Sequence, residues 1–114
     1  MLLLIMVAQI AASSTTAAGA QSDQERIMSS EVFAYAQWRN CVLRATHRKA
    51  STSRDHTKVA DAAISACEAK EANYRASLLS LAQLYQLKNS EEFAQRNSDQ
   101  GRKALRDMAI KELE

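Results

Sequence analysis

The sequence predicts an all-α protein, a disulfide-stapled antiparallel helical hairpin joined by a bent or split third helix into a small helical bundle. Three observations carry this. The 114 residues contain no proline and two glycines, so the usual helix breakers are nearly absent. Apolar residues recur at helical spacing through three long segments. The two cysteines, Cys41 and Cys67, fall on the first two of those segments, at equal distances from a short polar stretch.

The chain opens with "MLLLIMVAQIAA", an apolar run shorter than the ~20 residues a membrane-spanning helix needs. Small residues ending in Ala18-Gly19-Ala20 follow it. This is the pattern of a secretory signal peptide cleaved between Ala20 and Gln21, although only the terminal amine supplies the usual basic n-region. Residues 1–20 are therefore expected to be removed. Residues 21–114 are expected to form one α-helical domain with no stable membrane span, in the periplasm of a bacterial envelope or outside the cell. Such a compartment is oxidising, so two cysteines can pair. No cysteine follows the small residues to carry a lipid anchor, and the chain has no Asn-x-Ser/Thr glycosylation acceptor.

In "SDQE", Ser22 to Glu25, a capping box marks a helix start. An apolar stripe continues through Ile27, Ala34, Trp38, Cys41 and Ala45 and ends near Lys49. Arg44, His47, Arg48 and Lys49 crowd that end, where positive charge suits the helix dipole. "ASTSRD", residues 50–55, reads as the loop, its Ser, Thr and Asp competing with helical hydrogen bonding and supplying the next cap.

The second helix is expected from Thr57 to Leu87. Ala60, Ile64, Cys67, Glu71, Tyr74, Leu78, Leu81 and Tyr85 alternate in steps of four and three, a seam whose polar member is Glu71. Its last stretch, "LLSLAQLYQL", is apolar around more of its circumference and is expected to face two neighbours. Asn89 followed by Glu92 opens a third helix that reaches Leu113. Its middle, "RNSDQG", is poor in helix formers, and a bend or break is expected there, with Ser98 or Asp99 capping a fresh segment.

Facing residues of an antiparallel hairpin share one midpoint along the chain. For Cys41 and Cys67 that midpoint is residue 54, inside the polar loop. The same register sets Trp38 against Lys70, Ala34 against Tyr74 and Ile27 against Leu81. Ala60, Ala63 and Ala66 let the helices approach closely enough for a bridge, which needs Cα atoms roughly 5.5–6 Å apart. Closing this loop should stabilise by about 3.5 kcal/mol on the chain-entropy model.

No motif announces chemistry. The cysteines lack the C-x-x-C arrangement at a helix N-terminus that activates a redox thiol, so a structural disulfide is expected. His47, Asp55 and His56 flank the loop and define the alternative reading, a small periplasmic metal-handling or enzymatic protein, although metal-ligand spacing is missing. Ser51, Ser53, Asp55 and His56 hold the residue types of a hydrolytic triad, but in one short polar loop without a pocket or oxyanion motif. Met28 and Met108 read as packing residues, since no histidine or C-x-x-C-H accompanies them as a haem site would require. No enzyme activity, cofactor or metal is expected.

Charge is more informative. From Arg39 to Lys58 the cations are Arg39, Arg44, Arg48, Lys49, Arg54 and Lys58, against Asp55 alone. The hairpin should therefore have a basic tip, with Arg44, His47, Arg48, Lys49, Arg54 and Lys58 as the candidate binding residues. Such a tip suits an anionic envelope component or an acidic protein face. Nucleic acid is not expected, because the region lacks aromatics for stacking. Leu79, Leu84, Leu87, Leu105 and Leu113 are expected to serve the core first; left exposed, this leucine-rich face would support a homodimer. The expected function is that of an exported, non-enzymatic protein- or envelope-binding module.

Overall fold

Alanine, leucine, glutamate, glutamine, lysine and arginine dominate the chain, and with no proline to interrupt them they settle into i→i−4 hydrogen bonding. A computed structural model describes the backbone of residues 2–114 and the side chains of residues 23–114. Four helices follow in order: α1 (Leu2–Lys49), α2 (His56–Ala66), α3 (Glu68–Leu84) and α4 (Ser90–Leu113). There is no strand among the described residues, and the fold is an all-α small helical bundle. The processing expected between Ala20 and Gln21, and the cap expected from Ser22, lie outside the described side chains. The helix does not begin at Ser22, because α1 runs through it.

The disulfide joins Cys41 to Cys67 with Cα atoms 6.0 Å apart. The register it implies holds along the hairpin. Lys70 Nζ donates to Gln37 Oε1 at 3.3 Å, the rings of Tyr35 and Tyr74 lie 5.3 Å apart, and Gln24 Nε2 donates to the Tyr85 hydroxyl at 3.2 Å. Each pair keeps its midpoint within about one residue of Arg54, as antiparallel neighbours do.

The second expected helix is not continuous. It breaks at Cys67, which leaves helical geometry (φ −111°, ψ 22°) and donates its N–H to Ile64 O, three residues back, at 3.1 Å. A straight helix crossing α1 at an angle would diverge from it at both ends. The step at the bridged cysteine lets α2 and α3 each stay against both α1 and α4. Lys70 and Glu71 then return their N–H groups to Cys67 O, and Glu68 and Glu71 place negative charge in the first turn of α3.

The break expected in "RNSDQG" is absent, since α4 is one helix of 24 residues. The residues that argued against a helix are employed in packing and in local bonds. Ser98 and Gly101 are buried, Asn97 Nδ2 donates to Phe93 O, and Gln95 Nε2 donates to Asp99 Oδ1. Asn89 caps α4 through its backbone alone, so the expected capping box is not formed.

The core draws on every helix. Trp38, Val42 and Ala45 from α1 meet Ala60 and Ala63 from α2, Tyr74 and Leu78 from α3, and Ala94, Leu105 and Ala109 from α4, with Cys67 among them. Trp38 is fully buried and stacks near Tyr74, its ring centroid 5.5 Å away.

Candidate functional site

The loop that closes the hairpin is built by its own polar residues. Thr52 donates both its N–H and its hydroxyl to Lys49 O, capping the end of α1 at 3.0 and 2.6 Å. Ser53 Oγ accepts from the Asp55 N–H at 3.1 Å, and Asp55 Oδ1 accepts from the Lys58 N–H at 3.3 Å, which caps α2. Ser53 and Asp55, two of the residues that resemble a triad, thus spend their polar atoms on the turn.

This turn fixes where the basic side chains stand. His47, Arg48 and Lys49 occupy the last turn of α1, Arg44 lies one turn earlier, Arg54 is in the loop, and Lys58 is in the first turn of α2. All are exposed except Lys49, which is half-buried. Among the described residues none of the five Lys and Arg side chains makes an ion pair. Of the six candidate side chains, His47 alone lies within ion-pair distance of a carboxylate among the described residues, with Glu112 Oε1 at 3.4 Å from Nε2.

Glu112 is the residue that reading along the chain missed. Because α4 returns the length of the hairpin, its C-terminal end arrives beside His47 and brings a carboxylate to the tip. A helix of 24 residues is about 36 Å long, which was enough to place its end there. Asp61, one turn along α2, is already engaged by Arg106 Nε at 2.6 Å. That bond, with Asp61 charge behind it, raises the Arg106 proton affinity above its ordinary value.

His47, Asp55 and His56 are not gathered into a ligand set. Among the described residues no group of three or more His, Cys, Asp or Glu is placed to hold a metal ion. A depression of about 390 Å³ between α3 and α4 is lined by Ala72, Arg75, Ala76, Leu79, Glu91, Ala94 and Gln95, which include no nucleophile beside a base. Met28 lies half exposed with the Tyr85 hydroxyl 3.7 Å from its sulfur, while Met108 packs against the core. Among the described residues, no helix is long and apolar enough to cross a membrane.

The five leucines do not share one surface. Leu105 is buried in the core, Leu79 and Leu113 are half-buried, and Leu84 and Leu87 are exposed. Away from the tip, Glu71 is the buried charge of the molecule's middle. Its carboxylate takes Arg102 through both oxygens, at 2.7 and 2.6 Å, and Arg75 at 3.0 Å. Arg75 also donates to Ser98 Oγ at 3.2 Å, so α3 and α4 are clamped by charge-assisted bonds at their crossing. This arrangement is structural in kind, with Arg102–Glu71 and Arg75–Ser98 crossing between α3 and α4 and Arg75–Glu71 bracing them within α3.

Comparison with known proteins finds no matching family model, no matching curated protein and no matching solved structure.

Proposed function

We propose that this chain is an exported, non-enzymatic binding module that holds an anionic partner at its basic tip. One observation carries the reading: five cationic side chains, Arg44, Arg48, Lys49, Arg54 and Lys58, stand at one end of a stapled hairpin with no ion-pair partner among the described residues. Elsewhere the cations are often committed, as Arg75, Arg96, Arg102 and Arg106 are to carboxylates in the same chain. A clamp at Cys41–Cys67 keeps the two arms of the tip together, so the charges are presented with little ordering cost on binding. The apolar leader, its small-residue ending and the disulfide support export to an oxidising compartment. The partner's chemistry is that of an anionic envelope component, such as a phosphate-bearing lipid headgroup, or an acidic protein face.

The test is retention of an anionic envelope fraction by the immobilised protein. Binding should weaken steeply with salt, because exposed charges separated by more than about 8–10 Å are screened at 0.1–0.15 M. Arg48→Glu with Arg54→Glu should reduce retention at least tenfold while leaving the melting temperature in place, since both side chains are exposed and unpaired. Retention indifferent to salt and to both reversals removes the tip from consideration.

A further inference from the structure

We propose that the outer face of α1 is a self-docking surface, on which a second copy of this chain packs antiparallel about a two-fold axis at Val32. The inward stripe of α1 is spent on the core through Trp38, Val42 and Ala45. The opposite face of a helix on a bundle's surface is ordinarily polar. Here it carries Met28, Val32 and Phe33, exposed at 46, 65 and 64%. With Ser29 and Ala36 they line one open depression of about 460 Å³. Clustered large apolar side chains of this kind gain by being covered.

The occupant follows from the order of residues along that face. Glu25, Met28, Val32, Ala36 and Arg39 fall on one helical stripe, with Glu25 two turns before Val32 and Arg39 two turns after it. A two-fold axis at Val32 therefore sets Glu25 of each copy against Arg39 of the other. It also sets Met28 against Ala36, large against small, and Val32 against itself. Neither Glu25 nor Arg39 has an ion-pair partner among the described residues. The stripe is complementary to its own reverse, which is the property an isologous interface requires. An anionic membrane fits less well, because Glu25 stands on the same stripe and Arg26 is already bonded to Asp23.

The contact from Glu25 to Arg39 is about 21 Å long. Tyr85 widens it, its hydroxyl lying 3.7 Å from Met28 Sδ. Such a strip is smaller than the ~800 Å² per partner of a standard interface, so the dimer is weak and exchanges readily. It is also independent of the tip reading. Its consequence is a rod with a basic tip at each end, the two roughly 50 Å apart.

Sedimentation velocity tests this on protein purified as the cell leaves it, its N-terminus read by mass spectrometry. Across about 5 µM to 1 mM, the range a contact of this size demands, the dimer fraction should rise with concentration. Val32→Glu should abolish it. Arg39→Glu should weaken it roughly tenfold, and Glu25→Arg added to Arg39→Glu should restore it, since the paired charges are then exchanged in both copies. Melting temperatures should match the parent, because these side chains are exposed in the single chain. A monomer throughout the range, a dimer indifferent to Val32→Glu, or a charge swap that fails to restore association overturns the proposal.

Discussion

A Cβ built on Gly101 would meet Cζ3 of Trp38 at 2.9 Å and Cη2 at 3.4 Å. Helix propensity alone says that Gly101→Ala should stabilise α4 by about 1 kcal/mol. The indole ring is fully buried and has nowhere to move, so overpacking wins. Gly101→Ala is expected to destabilise by about 1–3 kcal/mol, read as a lower urea midpoint at unchanged slope. Tyr74, whose ring centroid lies 5.5 Å from that of Trp38, gives a pH prediction. Burial first, and then the Glu31 charge, push its hydroxyl from 10.0 up to about 12. The folded state therefore holds this proton more tightly than the unfolded chain. The associated stability is complete below pH 10 and is lost as pH rises through about 12. Between pH 9 and 11 the urea midpoint of the parent should fall more than that of Tyr74→Phe, and equal falls would show that Tyr74 is not the group responsible. Some of this was legible in the sequence and some was not. The seam named Glu71 as its polar member, and the structure supplies Arg75 and Arg102 as the reason it can be buried. The role of Gly101 was hidden, because a glycine that ends a helix and a glycine that admits a ring look alike until the facing residue is known.

At the level of elements, the turn from α3 to α4 carries a strain that can be relieved. Gln86 has a positive φ of 55°, which side-chain-bearing residues adopt at a cost of roughly 1–2 kcal/mol. It sits where a helix ends in a Schellman motif. Leu87 N–H bonds to Ala82 O at 3.0 Å and Gln86 N–H to Gln83 O at 3.1 Å. Gln86 is exposed, so its side chain contributes little packing in exchange. Gln86→Gly is expected to raise stability by about 1 kcal/mol, allowing for the extra entropy of an unfolded glycine, and an unchanged or lower melting temperature would contradict the strain. The hairpin and its register were legible because two cysteines and a polar loop gave independent routes to Arg54. The break at Cys67 was not, because neither proline nor glycine marks it. The available signal was subtler: Glu68 and Glu71 follow Cys67 as acids follow a helix start. The continuous α4 was misread for the opposite reason, since tertiary packing of Ser98 and Gly101 overrode local propensity.

For the molecule as a whole, the disulfide and the core bear on the same unfolding event. Cys41–Cys67 ties α1 to the junction of α2 and α3, and the core cluster then joins all three to α4 around Trp38. The chain entropy removed by the bridge is worth about 3.5 kcal/mol, a large share of the 5–15 kcal/mol that domains possess. Reduction should therefore lower the melting temperature by roughly 14–28 °C, at 4–8 °C per kcal/mol for a chain of this size. Trp38 is the one tryptophan and lies where helices from both ends of the sequence meet, so its emission reports on the assembled bundle. If the four helices share a single core, its red shift and the loss of far-ultraviolet helicity should coincide before and after reduction, as one cooperative transition displaced to lower temperature. A Trp38 signal that departs first would mean that α4 detaches while the hairpin survives. The basic tip would then stand on the hairpin alone, and the Glu112 carboxylate would leave it as α4 moved away.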